Sequence, residues 1–166
     1  MMKVQFSQAW AKQKYEEPLR EAIHFVKGSR SCSDLLVKVF FYKERGSYRG
    51  NYRNVRIHGS YGTDRGMANI ITLKFSDRIF HDPSVLTIEE QEQLELRPAT
   101  HGRMYRLKTL ELLKEEFIAL FAHEFKHYLD MKNLESKHKY RHWEVRAEKF
   151  AERKMLEWSM KCGENQ

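Results

Sequence analysis

The chain has 166 residues, of which 41% are hydrophobic and 13% aromatic, and its formal net charge is +7. This size and apolar content exclude a disordered chain and predict a single globular domain over residues 1–166. Its two cysteines, Cys32 and Cys162, are too few and too far apart for a disulfide framework or a zinc knuckle. The sequence has no secretory signal and no run of about 18 apolar residues, so we expect a soluble, cytoplasmic protein without a membrane partner.

The spacing of apolar residues predicts a helix over residues 5–27, in which Pro18 also allows two shorter helices. Three β-rich runs predict strands over 35–43, 52–61 and 67–76, joined by turns at 45–51 and 62–66 in one antiparallel meander.

The C-terminal half is predicted to be helical. A capping box of Thr87 and Glu90 indicates a short helix to about Leu96. Longer helices are predicted over about 107–132 and 141–160, with a polar, basic linker at 133–140. The fold class is therefore α+β: an N-terminal helix, a small antiparallel or mixed sheet of about three strands, and two C-terminal helices that carry the site described next.

The strongest helical pattern in the chain contains an HExxH motif at residues 123–127. Histidines at positions i and i+4 lie on one helix face, so His123 and His127 can reach one tetrahedral ion. Glu124 is one step round the helix, where it can act as general base on a metal-activated water. Such a motif also arises by chance on helix surfaces, but the apolar residues around it indicate a packed helix.

A catalytic zinc site needs a third protein ligand and one open position. The last helix offers Glu144 and Glu148, one turn apart on the same face, and His138 and His142 are the alternatives. Two histidines and a carboxylate suit zinc or non-haem iron. The glutamate within the motif favours zinc, with one ion per chain.

The HExxH motif followed by Glu-x-x-Ala-x-x-Phe-Ala at residues 144–151 resembles the gluzincin metallopeptidases, and most closely their minimal ImmA/IrrE-like forms. The resemblance covers about residues 109–151. It implies that Glu144 is the third zinc ligand and that Glu148 accepts the outer N–H of a ligand histidine. Glu148 stands where the family has a shorter Asp or Asn, so the two glutamates could exchange roles.

The expected activity is zinc-dependent hydrolysis of peptide bonds in a protein or peptide substrate. A second electrophile is expected from the linkers, and the candidates are Tyr140, His138, His142 and Tyr105. The substrate is expected to add as a strand beside residues 67–76, the predicted edge of the sheet.

The alternative function is nucleic-acid binding through residues 38–58, where six basic residues accompany one acidic residue. Arginines and tyrosines interleave in the predicted hairpin over 42–56, as in surfaces that pair with phosphates and stack on bases. Both activities could coexist, since SprT-like zinc proteases share HExxH and act on DNA-bound proteins. A solvated hairpin surface is the simpler explanation of the basic segment. A third class of function is a structural or interaction protein whose zinc site is a relic or absent.

Overall fold

A computed structural model describes residues 2–42, 49–58, 64–76, 110–132 and 142–163. The elements in chain order are β1 (Lys3–Phe6), α1 (Ala9–Lys27), β2 (Leu35–Tyr42), β3 (Arg49–His58), β4 (Asp64–Ser76), α2 (Leu110–Lys132) and α3 (Trp143–Gly163). The predicted α+β class, with an N-terminal helix and two C-terminal helices, is confirmed. Across these ranges, no helix has the length and apolar character that crossing a bilayer requires. The predicted short helix over 87–96 and the linker over 133–140 lie outside the described residues.

The four strands form one mixed sheet in the order β1-β2-β4-β3. β2 pairs in parallel with both β1 and β4, and only β3 and β4 are antiparallel. The predicted antiparallel meander is therefore wrong. The predicted turns at 45–51 and 62–66 are wrong over residues 49–51 and 64–66, which are strand, and their other residues lie outside the described ranges. The apolar centre of β4 suits an interior strand, and the charged residues of β3 suit an edge.

The N-terminal strand was missed because residues 5–6 were assigned to the helix. Val4 and Phe6 lie in β1, which continues the sheet beyond β2 in a parallel register. The side-chain amide of Gln8 then bonds the backbone of Phe41, donating to its oxygen at 2.7 Å and accepting from its nitrogen at 3.1 Å. α1 begins directly after this contact and runs unbroken through Pro18, so the alternative of two shorter helices is wrong.

The core lies between one face of the sheet and helices α1 and α2. Alternate residues of β2 and β4 are buried on this face, as the period of a half-covered sheet requires. A chain of stacked rings then connects α1 through the sheet to α2: Tyr15, Phe41, Phe75, Phe117, Phe121, Phe125 and Tyr128. Because these rings fix the rotation of α2 about its axis, they also fix the direction in which its histidines face.

Candidate metal centre

Helices α2 and α3 bring two histidines and a carboxylate together. The Nε2 atoms of His123 and His127, one turn apart on α2, are 3.2 Å from each other. Glu144 enters from the first turn of α3, with Oε2 at 3.2 Å from Nε2 of His123 and Oε1 at 3.3 Å from Nε2 of His127. The three side chains thus point their donor atoms at one location.

These separations fit a tetrahedral metal ion. With ligand distances of about 2.0–2.1 Å, neighbouring donor atoms on a tetrahedron lie about 3.3 Å apart. The observed 3.2, 3.2 and 3.3 Å match this value without any side-chain movement. Within the described ranges, His123, His127 and Glu144 form the one group of histidine, cysteine and acidic side chains with such spacing.

The other residues considered for the site take different places. Glu148 is exposed and, among the described residues, bonds to neither histidine, so the expected support for a ligand histidine remains a prediction. His142 is exposed and outside the cluster. Tyr140, His138 and Tyr105 lie outside the described residues. Among the candidates for the third ligand that lie in the described residues, the geometry favours Glu144.

The surroundings of His127 favour its neutral form. Its side chain is buried, and burial lowers the pKa of the imidazole, an effect that the charge of Glu144 opposes and His123 reinforces. A neutral ring keeps the lone pair that a metal ion requires. The Nδ1 atom is buried and has no hydrogen-bond partner among the described residues.

Glu124 is buried between α2 and β3 with 7% of its surface exposed. Burial, and secondly the charge of Glu144, raise the pKa of its carboxyl to about 7, while a hydrogen bond from the backbone N–H of Tyr52 acts in the opposite direction. A carboxyl with a pKa near neutrality can take and release a proton at physiological pH, which a general base must do.

The β3 backbone approaches Glu124 so closely that a side chain at position 50 would force the Glu124 carboxylate to move. A Cβ on Gly50 would lie 2.5 Å from Oε1 and 2.6 Å from Cγ of Glu124. Gly50 is in an extended strand, so the need for glycine comes from this contact and not from the backbone conformation. Sequence reasoning placed Gly50 in a turn and missed it, although a glycine within a strand signals a close approach.

Gly50→Ala is therefore expected to displace the Glu124 carboxylate while leaving the three metal-binding side chains in place. A displacement of about 1 Å costs about 10²-fold in rate. If the centre belongs to a zinc peptidase, the variant should bind as much zinc as the wild type and hydrolyse peptides about 100-fold more slowly. Gly163→Ala, where an added Cβ meets nothing within 4 Å, is the control. A Gly50→Ala protein that keeps the wild-type rate would show that this contact does not position Glu124.

An ion pair between the helices holds Glu144 in position. Asp130 on α2 is 5% exposed and lies 2.8 Å from Arg146, two residues after Glu144 on α3. Lys126 approaches the same carboxylate at 2.6 Å. Asp130 is buried while Arg146 and Lys126 are partly exposed, so moving Arg146 away would deprive a desolvated carboxylate of this ion pair and leave it with Lys126. The pair ties the start of α3 to the helix that carries the histidines, and sequence reasoning did not find it.

A second polar network fixes β3 against α2. Asp34 accepts hydrogen bonds from the Tyr128 hydroxyl at 2.7 Å, the Asn69 amide at 2.8 Å and Lys132 at 3.0 Å. Asn69 in turn accepts a bond from the Tyr52 hydroxyl at 2.7 Å. Burial raises the pKa of the Asp34 carboxyl, but the bonds from Tyr128 and Lys132 outweigh it and leave the pKa lowered. The network keeps the backbone of β3 beside the HExxH motif.

A cleft of about 430 Å³ opens over the three donor atoms. Its walls come from α2, α3 and β3, and they are formed by Gly50, Tyr52, His123, Glu124, His127, Trp143 and Glu144. The strand that borders this cleft is thus β3. The expectation that residues 67–76 form the edge is wrong, because β4 lies between β2 and β3.

No protein-family model, curated protein or solved structure matches this chain. Any assignment of function therefore depends on the geometry and chemistry of this centre.

Proposed function

We propose that the chain is a zinc-dependent peptidase that hydrolyses peptide bonds of a protein substrate in the cleft beside β3. The observation that carries the proposal is the set of three donor atoms separated by 3.2–3.3 Å, next to the buried carboxylate of Glu124. Three protein ligands that leave one position open distinguish a catalytic zinc site from a structural one.

Four side chains of the site would have separate roles in the reaction. His123, His127 and Glu144 would hold the ion. Bound zinc supplies a water of lowered pKa and polarises the substrate carbonyl. Glu124 would take the proton of the attacking water on its carboxylate and pass it to the leaving amine. The backbone N–H of Tyr52 bonds this carboxylate and so restricts its orientation.

The substrate would lie as an extended segment along β3, the edge strand of the cleft. An added strand gains backbone hydrogen bonds without requiring a particular sequence. Gly50 and Tyr52 line the cleft, so a segment paired with this part of β3 would pass directly over the donor atoms. This route replaces the one expected along residues 67–76.

The test is metal-dependent cleavage of an unfolded protein and of synthetic peptides. Zinc-loaded protein should cleave them, a chelator should abolish cleavage, and added zinc should restore it where added magnesium does not. A protein that holds one zinc ion per chain and cleaves no peptide bond would contradict the proposal.

No described contact favours the nucleic-acid alternative, which remains a prediction. Tyr52, one of its stacking candidates, donates its hydroxyl to Asn69 and packs its ring 6.2 Å from that of Tyr128. Residues 43–48 of the same segment lie outside the described ranges. Binding of single-stranded DNA that weakens steeply with salt would support this function.

A further inference from the structure

A second groove lies between α2 and α3 on the other side of the HExxH motif. Its volume is about 580 Å³, and His123 and Glu124 line both this groove and the cleft over the donor atoms. A substrate whose cleaved bond lies in the cleft therefore has a neighbouring side chain within reach of the groove. The groove is thus distinct from the cleft but lies next to the place where the peptide bond of the substrate would be cleaved.

The walls of the groove are apolar where they lie nearest the core. Leu120 on α2 and Ala151 and Met155 on α3 are partly buried and pack against the hydrophobic core, and Ala119 completes this surface. Apolar surface of this kind binds hydrocarbon, because it is removed from water on contact. The small side chains of Ala119 and Ala151 leave room for it.

Two carboxylates of α3, Glu148 and Glu152, line the same groove. No lysine or arginine is among the described residues that line it. This negative surface lies in a chain of net charge +7, so it is not a general feature of the protein. The negative charge and the apolar wall together favour a ligand group with an aliphatic stem and a positively charged end.

We propose that this groove binds a lysine or arginine side chain of the substrate, next to the peptide bond that is cleaved. The proposal rests on the peptidase function and adds a substrate class to it. Lysine and arginine cover apolar surface with their aliphatic stems and keep a charged head in polar surroundings. Glu148 lies one turn beyond Glu144, a rise of about 5.4 Å that matches the length of such a side chain, and Glu152 lies one further turn along the same side of the groove. Helical side chains also tilt toward the N-terminus of their helix, which brings both carboxylates toward the Glu144 end.

The experiment is cleavage of synthetic peptides with a randomised central segment by the zinc-loaded full chain, with the cut sites identified by mass spectrometry. We expect lysine and arginine to be enriched at one of the two residues that flank the cut bond. Matched peptides that differ only by lysine or norleucine at that residue then give the preference as a ratio of kcat/KM. We expect about tenfold in favour of lysine, which corresponds to more than one partly exposed ion pair.

The decisive variant is Glu152→Lys, which reverses the charge of one wall. The preference for lysine over norleucine should disappear, because the introduced ammonium offsets the remaining charge of Glu148. Glu157→Lys changes the net charge equally on the same helix outside the groove, and it should retain the preference. Because each result is a ratio within one protein, a general loss of activity does not imitate it.

The outcomes separate the two proposals. Cleavage without enrichment of basic residues, or an enrichment that survives in Glu152→Lys, would overturn the groove assignment and leave the peptidase function standing. Absence of cleavage by wild-type protein that holds one zinc ion per chain would contradict the peptidase function and the groove assignment with it.

Discussion

Glu124→Gln should keep its zinc and lose about 10²- to 10⁴-fold in the rate of peptide hydrolysis. Glutamine has the shape of glutamate, and its carbonyl oxygen can still accept the backbone N–H of Tyr52, but an amide cannot take a proton from water. The variant should fold as well as the wild type, because a neutral amide at a site that is 7% exposed avoids the cost of burying a charge. The measurement is kcat/KM on one peptide, with zinc content determined on the same samples.

Glu115→Gln on the same helix is the matched control for this prediction. It makes the same chemical change at a residue that lines neither the cleft nor the groove, so its rate should equal that of the wild type. A Glu124→Gln protein with the wild-type rate would show that Glu124 is not the general base, even if zinc remained bound.

His127→Ala should abolish the stabilisation that zinc gives to the wild type. An ion present at 100 to 1,000 times its Kd stabilises the folded state by about 2.7–4.1 kcal/mol. For a chain of this size, that corresponds to a rise in Tm of about 6–15 °C. The variant retains one histidine and Glu144, which cannot hold the ion at the same concentration. Thermal unfolding with and without zinc gives the two shifts directly.

His142→Ala is the control for this measurement, since His142 is exposed and lies outside the cluster of donor atoms. It should show the full zinc-dependent rise in Tm. If zinc raised the Tm of His127→Ala as much as that of the wild type, the ion would bind elsewhere and the centre described above would not be a metal site.

The helical part of the fold could be predicted because its signals are local. Apolar residues at steps of three and four identified α2, and the same spacing placed His123 and His127 on one face. Glu144 was predicted as the third ligand only through the family resemblance, since the spacing of the residues left it open against Glu148, with His138 and His142 as further alternatives. The choice between the two glutamates depends on how α3 rotates against α2, which the Asp130–Arg146 ion pair and the core rings fix, and neither is a local property.

The sheet was predicted less well because the pairing of strands depends on contacts between residues that are far apart in the sequence. The three apolar runs predicted the strands but not their order. The apolar centre of the run at 67–76 fits its interior position, but does not identify its two neighbours. β1 has four residues, too few to interrupt the helical pattern assigned there. The role of Gly50 was missed for the same reason. Gly50 contacts Glu124 because β3, and not β4, borders the cleft.

The most direct test of the metal centre is the zinc content of the purified wild-type chain and of Glu144→Ala, with Glu157→Ala on the same helix as the control. We expect about one zinc ion per chain in the wild type and in Glu157→Ala, and a large loss in Glu144→Ala. A wild-type chain that takes up no zinc, or a Glu144→Ala chain that binds it as tightly as the wild type, would contradict the centre of His123, His127 and Glu144.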